Sequence, residues 1–355
     1  MSGTVCVTGG LGFVGSRVCH ALLDRGRRVR CVDSMIGSYA PGNGRAAARA
    51  LAARGAEIVR AHVGAAADHQ VLGEAEAVIH LAALPGVRTP RTFAELWREN
   101  TSATERLARA AAGRRARFVL ASTSSVYGDA AHLPTPEDAP PSPLGPYASS
   151  KLGAERACLA ATRDCGADAV IVRLFTVYGP GQRPDMAFAR WIRALAAGVP
   201  LPWHAPPRAV RDFTYVDDAV AGLLATLERG RSGHAYNVSG HAPVPLIEAL
   251  AVIERAVGRT AVLERLPPWG GEARVTAGCA RKAVAELGYS PATALAAGVE
   301  RQVAATRAAS PGRRLGAPAR ARAALPRSGW ESRAAARERG SPRPAVRPDA
   351  ATDPG

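Results

Sequence analysis

The segment Val5-Cys6-Val7-Thr8-Gly9-Gly10-Leu11-Gly12-Phe13-Val14-Gly15 constrains this chain more than any other. A short apolar run ends in a glycine-rich turn and opens into Ser16-Arg17-Val18-Cys19-His20-Ala21-Leu22-Leu23, which reads as an amphipathic helix. Gly10, Gly12 and Gly15 fit G-x-G-x-x-G in the strand–turn–helix context that the motif requires. Glycines there let the backbone approach a pyrophosphate, which then sits on the helix N-terminus where unpaired N–H groups point outward. Gly9, Gly12, Phe13, Val14 and Gly15 are the candidate contacts. The next apolar run, Arg28–Asp33, places Asp33 at its C-terminal end, where a carboxylate can bind a ribose diol. No Arg follows Asp33 closely, and its charge would repel a 2′-phosphate, so the expected cofactor is NAD rather than NADP. The competing reading is a tight turn beside an incidental acid.

Up to about residue 173 the pattern alternates strand and helix. Strands are expected near 4–8, 28–33, 57–61, 76–81, 117–122 and 168–173, with helices between them. Such alternation predicts an α/β fold with a parallel, doubly wound sheet. Beyond Gly179-Pro180-Gly181 the chain is loop-rich, with helices expected near 185–198, 215–229, 245–257 and 280–287. That half is predicted to form a smaller lobe. The expected division is 1–175 for the nucleotide domain, 176–305 for the lobe (with some chain exchange between the two) and 306–355 for a disordered tail.

Two further segments carry chemistry. Ala121-Ser122-Thr123-Ser124-Ser125-Val126-Tyr127-Gly128 follows the apolar strand Phe118-Val119-Leu120. Its hydroxyls cluster at a strand's C-terminal end, where open α/β sheets bind ligands. By itself it would be an ordinary Ser/Thr turn. The other segment is Tyr147-Ala-Ser-Ser-Lys151. Of 46 basic residues only two are lysines, and one of them stands four residues after a Tyr. That spacing puts both side chains on one helix face. An ammonium there can hold a phenol near its ionised form, a task for which Arg's planar fork is a poor substitute.

These segments, in this order, resemble an extended short-chain dehydrogenase/reductase of the NAD-dependent sugar-nucleotide epimerase/dehydratase type. The resemblance covers about residues 3 to 305 and includes His80-Leu81-Ala82-Ala83, Asn100 and Arg211-Asp212-Phe213-Thr214-Tyr215-Val216-Asp217-Asp218. It implies a Rossmann-type domain with NAD beside Leu81, Ala82, Ala83, Asn100, Ser122, Tyr147 and Lys151, and a substrate lobe after it. It implies that Tyr147 is the acid/base, that Lys151 bonds the nicotinamide ribose, and that Thr123 shares a hydrogen bond with the sugar's reacting oxygen. A homodimer is also implied, with later residues of the Tyr147 helix as its surface. Bringing a phenol from a pKa near 10 to near 7 takes roughly 4 kcal/mol of phenolate stabilisation, which Lys151 and the positive nicotinamide are expected to supply.

Family members that eliminate water or CO₂ carry acids after the hydroxyl position. Here those positions are Ser124 and Ser125, and neither is a general base at neutral pH without a partner. C4 epimerisation is the outcome left. Phe175-Thr176-Val177-Tyr178-Gly179-Pro180-Gly181-Gln182-Arg183 and Pro85-Gly86-Val87-Arg88 resemble the UDP-glucuronate 4-epimerase group. That implies a substrate carboxylate held by Thr176 with Ser124, Ser125 and Arg183 or Arg88, beside Pro85 and Gly86, and UDP phosphates met by Arg211 and Arg274. For Arg183 and Arg88 a plain surface charge is the competing reading. Three positions depart from the family pattern: His62 replaces an adenine-contacting Asp, Leu201–Pro207 replaces a more acidic stretch, and Gly278 replaces an Asp after Ala277. A dehydratase or decarboxylase of the same fold, a UDP-glucose 4-epimerase and a non-catalytic nucleotide sensor remain as alternatives.

The net charge of +16 invites a nucleic-acid reading, but seven of those charges fall in residues 307–355, which hold eleven Arg and four acids. That Arg/Ala/Pro/Gly-rich tail has little apolar periodicity, so disorder is expected and a nucleic-acid partner is not. No run approaches the ~20 apolar residues of a membrane span, and the expected location is cytoplasmic. The six cysteines show no C-x-x-C spacing, so free thiols and no metal site are expected.

Overall fold

The computed structural model describes residues 3–35, 41–85, 91–206, 208–268 and 270–309. Gly86, Arg88 and the tail from residue 310 lie outside the described residues. The strands are β1 (Thr4–Thr8), β2 (Arg28–Asp33), β3 (Glu57–Arg60), β4 (Ala75–His80), β5 (Arg117–Thr123), β6 (Ala169–Leu174), β7 (Thr176–Tyr178), β8 (Leu201–Trp203), β9 (Val210–Tyr215), β10 (Ala235–Val238), β11 (Pro243–Pro245) and β12 (Leu263–Arg265). The helices are α1 (Phe13–Asp24), α2 (Pro41–Ala53), α3 (Asp68–Leu72), α4 (Phe93–Leu96), α5 (Ala103–Gly113), α6 (Pro146–Cys165), α7 (Ala187–Ala197), α8 (Val216–Arg229), α9 (Leu246–Val257), α10 (Arg281–Leu287) and α11 (Leu295–Ala308).

Seven strands form one parallel sheet in the order β10-β6-β5-β4-β1-β2-β3. Side chains alternate across it: Val5, Val7, Val119, Ala121, Val170 and Val172 face a core closed by α1 and α8. Cys6, Phe118, Leu120 and Ile171 face a second core closed by α3, α5 and α6. Both faces are covered, so these strands read as near-continuous apolar runs. The six strands expected from the sequence agree with the structure to within a residue or so.

The seventh strand was not expected. In β10 only Ala235-Tyr236-Asn237-Val238 pair with β6, and the polar Asn237 sits in the middle. It is buried because Tyr127 Oη donates to its Oδ1 at 2.8 Å while its Nδ2 donates to the Thr135 and Cys279 carbonyls. Its amide is satisfied by partners far along the chain, which local pattern cannot register.

A smaller lobe is built from α7, α9 and α11 over β7, β8 and β9, around an aromatic cluster of Tyr178, Phe188, Trp191, Trp203, Phe213 and Tyr215. The four helices expected in this half match α7, α8, α9 and α10, whereas α11 and the short strands lacked a clear period. All six cysteines are free thiols. Among the described residues, no helix is long and apolar enough to cross a membrane.

Candidate active site

The strand order reverses between β1 and β4, and the loops that follow these two strands border a crevice at their C-terminal ends. In open parallel sheets, ligands bind at this point. Gly9 has φ 68°, and a Cβ on it would stand 2.8 Å from the Ala82 nitrogen. A Cβ on Gly15 would stand 2.1 Å from the Gly9 carbonyl oxygen. Glycine is therefore required on both sides of the turn. Gly12 caps α1 with extended backbone and no side-chain bond, leaving the first amides of the helix for an anion. Asp33 braces the same turn, its Oδ2 accepting from the Leu11 amide at 3.1 Å and its Oδ1 from Met35 at 2.8 Å. These residues fit a dinucleotide: a bare helix N-terminus for the pyrophosphate and a carboxylate at the end of β2 for a ribose.

His80, fully buried, ties the crevice together. The Ala82 amide donates to Thr8 Oγ1 at 3.3 Å, and Thr8 Oγ1 lies 2.7 Å from His80 Nδ1. On the other side His80 Nε2 is 3.0 Å from Thr104 Oγ1, which donates to the Asn100 carbonyl at 2.6 Å. Because Thr104 spends its proton on Asn100, His80 must donate from Nε2 and accept at Nδ1. The ring is thus neutral, and burial, followed by the Lys151 charge, drives its pKa down to about 3.

Asn100 lies in a π-helical turn, Trp97–Ser102, inserted before α5. Such turns are frequent at functional sites. Its Oδ1 accepts from the Leu84 amide at 2.7 Å, and its Nδ2 donates to the Leu84 carbonyl at 3.1 Å and to Ser150 Oγ at 3.0 Å. Ser150 Oγ in turn donates to the Tyr147 carbonyl. The amide expected at the cofactor is committed to splinting the loop after β4 onto α6.

Tyr147 and Lys151 open α6, with Pro146 in its first turn. Lys151 is buried and donates to the Ala121 carbonyl at 2.7 Å. Burial pulls its pKa down to about 8, opposed first by Glu155 and then by Cys158. Burial pushes the Tyr147 phenol up, and the cation that opposes this is Arg183. Thr123 Oγ1 accepts from the Ser125 amide at 3.2 Å and donates to Ser125 Oγ at 3.1 Å, capping the 3₁₀ turn Ser124–Tyr127. Ser122, expected at the cofactor, donates from Oγ to Glu155 at 2.5 Å.

On the substrate side, Thr176 begins β7, and Arg183 forms a two-pronged pair with Asp185 at 3.1 and 2.9 Å. Arg211 donates to the Val210 and Arg274 carbonyls and lies 3.4 Å from Glu272. Arg274 is 76 % exposed and 3.5 Å from Asp129, and Pro85 is partly buried. His62 lies 3.4 Å from Glu99 through Nε2, while its buried Nδ1 has no hydrogen-bond partner among the described residues. A Cβ on Gly278 would collide with Ser239 and Phe175 at 2.6 and 2.7 Å, so the Asp of the family pattern has no room there. Sequence reasoning missed Glu155, Arg173 and Glu272. Only Glu155, four residues after Lys151, carried a local signal. Among the described residues no cluster of metal-ligating side chains occurs.

Comparison with known proteins agrees with this geometry. Residues 5–239 match the model of the NAD dependent epimerase/dehydratase family. An uncharacterized UDP-glucose epimerase of Bacillus subtilis (strain 168) is 35 % identical over 309 residues, which is 84 % of this chain and 96 % of that protein. A UDP-glucuronate 4-epimerase of Thermodesulfobacterium geofontis (strain OPF15) is 31 % identical over 85 % of this chain and 95 % of its own length. The crystal structure of UDP-glucuronic acid 4-epimerase from Bacillus cereus, in complex with UDP-glucuronic acid and NAD, superposes with a TM-score of 0.82 at 33 % identity, covering 86 % of this chain and 100 % of that one.

Proposed function

The chain belongs to the NAD-dependent epimerase/dehydratase family, and from that membership we propose that it inverts C4 of a UDP-sugar, UDP-glucuronate to UDP-galacturonate, through a transient 4-keto sugar. NAD, when bound, accepts the C4 hydride and returns it. Tyr147 takes the O4 proton as C4–H is lost and gives it back after the ketone has turned over. Lys151 supports the phenolate, and Thr123 orients O4. Its Oγ1 accepts from the Ser125 amide, and its proton, now on Ser125 Oγ, is the one that turns to O4.

The observation that carries the reaction type is the turn after Thr123, where Ser124 and Ser125 offer hydroxyls and no carboxylate. A sugar carboxylate beside a 4-ketone is a β-keto acid. It keeps its CO₂ only if the C–CO₂ bond is held out of line with the carbonyl π system. Thr176, Ser124, Ser125 and the Arg183 charge suit that task through charge-assisted hydrogen bonds. Arg211 and Arg274 are assigned to the diphosphate, and they pair with Glu272 and Asp129 respectively.

The relative from Bacillus subtilis favours a second reading, epimerisation of UDP-glucose. A panel of UDP-glucuronate, UDP-glucose and UDP-galactose, with products followed by NMR, separates the two. UDP-galacturonate from UDP-glucuronate is expected. Interconversion of the two neutral sugars with no action on the acid would transfer the assignment. A homodimer is part of the proposal, with the exposed Phe93 and Trp97 rings beside α6 as its apolar contribution. A cytoplasmic location is part of it as well.

A further inference from the structure

Of the described ion pairs, only Glu155–Arg173 has both side chains less than a tenth exposed. Arg173, on β6, donates from Nε to both Glu155 oxygens at 3.1 and 3.2 Å and from one terminal nitrogen to Oε2 at 2.8 Å. Its other terminal nitrogen donates to Tyr127 Oη and to the Glu137 carbonyl, each at 2.8 Å. Ser122 Oγ donates to Glu155 Oε1. Residues 122 and 127 are the two ends of the turn that displays Thr123, Ser124 and Ser125, and both hang on this one pair. On α6, Glu155 stands one turn after Lys151, whose ammonium is held by the carbonyl of Ala121, next to Ser122. Buried charge pairs are weak contributors to stability, because desolvation offsets their attraction. Stability alone gives no reason for this one.

We propose that Glu155 and Arg173 are positioning residues for the acid/base site: the pair anchors the hydroxyl turn at both ends and keeps the Lys151 ammonium charged in its buried seat. This rests on reading Thr123, Tyr147 and Lys151 as the reacting apparatus. Around Lys151 stand Glu155 and Cys158 on its own helix, with Tyr147 one turn before it, the Ala121 carbonyl on β5, neutral His80 on β4, and, bound into Glu155, Ser122 on β5 and Arg173 on β6. Burial draws the lysine's pKa down, and Glu155 is the largest influence against it. Without that carboxylate, the ammonium releases its proton at lower pH. Lys151 is then neutral over part of the working range.

The chain's two lysines, Lys151 and Lys282, make the idea directly measurable. In the full-length protein loaded with NAD, ¹³C label at the lysine ε-carbon gives two resonances, and Lys282→Arg assigns them. Glu155→Gln is expected to lower the Lys151 midpoint by about one pH unit or more, equivalent to a tenfold or larger change in its proton affinity. The basic limb of turnover should move with it, while KM for the sugar nucleotide stays within about threefold. Glu155→Asp keeps the charge and should restore most of the midpoint. The double variant Glu155→Gln/Arg173→Met strands no buried cation, so it remains informative if the single variant fails to fold. An unmoved Lys151 midpoint in the folded variants, or lost turnover without a shifted pH limb, would overturn the proposal, because the pair would then act on the turn alone and not on the ammonium. Wild type inactive on every UDP-sugar would instead count against the reaction assigned above, and the lysine titration would still decide the electrostatic claim.

Discussion

Gly15→Ala tests whether the glycine turn is a cradle or only a tight connection. The added methyl would stand 2.1 Å from the Gly9 oxygen and 2.9 Å from Gly10 Cα. Ordinary carbon contacts are about 3.5–4.0 Å, so the turn must move by roughly 1 Å or more. One line of retreat is closed, because Gly9 already packs against Ala82. The shift breaks the 3.0 Å bond from the Gly12 amide to the Gly9 carbonyl and turns the amides at the start of α1 away from a pyrophosphate. A hydrogen bond to a charged group contributes about 1.5–3 kcal/mol. Losing one or two of them should raise the NAD dissociation constant by roughly 10²-fold or more. Overpacking costs a further ~1–3 kcal/mol of stability. Gly113→Ala, at the end of α5 with no atom near the new methyl, is the control and should bind NAD normally. Calorimetric titration with NAD reads both. A Gly15→Ala protein that binds NAD within about threefold of wild type would refute the cradle.

Three more outcomes are expected. Tyr147→Phe keeps the ring and removes the ionisable oxygen, so stopped-flow reduction of the nicotinamide should slow by roughly 10² to 10⁴; a change of less than about tenfold would exclude Tyr147 as the base. Thr176→Ala should still reduce cofactor but release more CO₂ and a UDP-pentose-4-ulose per epimerisation event than wild type, and an unchanged ratio would remove Thr176 from the carboxylate clamp. His80 stays neutral in the folded protein down to about pH 3, whereas an unfolded His takes a proton near 6.5, so the unfolded state binds more protons and stability falls as pH drops through that window. The loss is up to roughly 1.4 kcal/mol per pH unit, and urea unfolding of His80→Gln should show a shallower dependence between pH 6.5 and 4; equal slopes would mean that His80 does not titrate this way.

The parallel sheet was legible because its strands are buried on both faces and its turns are marked by glycine. Tyr147 and Lys151 were legible because their spacing is local. What the sequence hid lies in contacts between distant residues. Arg173 reads as an interruption of an apolar strand until Glu155, on another element, neutralises it. The side-chain partners of Ser122 and Asn100, which are Glu155, Leu84 and Ser150, were likewise hidden. The π-helical turn at Trp97–Ser102 changes hydrogen-bond register and leaves no mark in composition. The pull on the Tyr147 phenol was assigned to Lys151 together with the positive nicotinamide. The ammonium is committed to Ala121, and burial of the phenol dominates. Charge brought by the cofactor has to complete that step.

The most direct test of the central claim, inversion at C4 through a ketone whose hydride returns to the same carbon, uses UDP-glucuronate carrying deuterium at C4. NMR and mass spectrometry of the product in ordinary water should show UDP-galacturonate with deuterium retained at C4 and the carboxylate intact. Deuterium lost to solvent, or a product lacking water or CO₂, would contradict it.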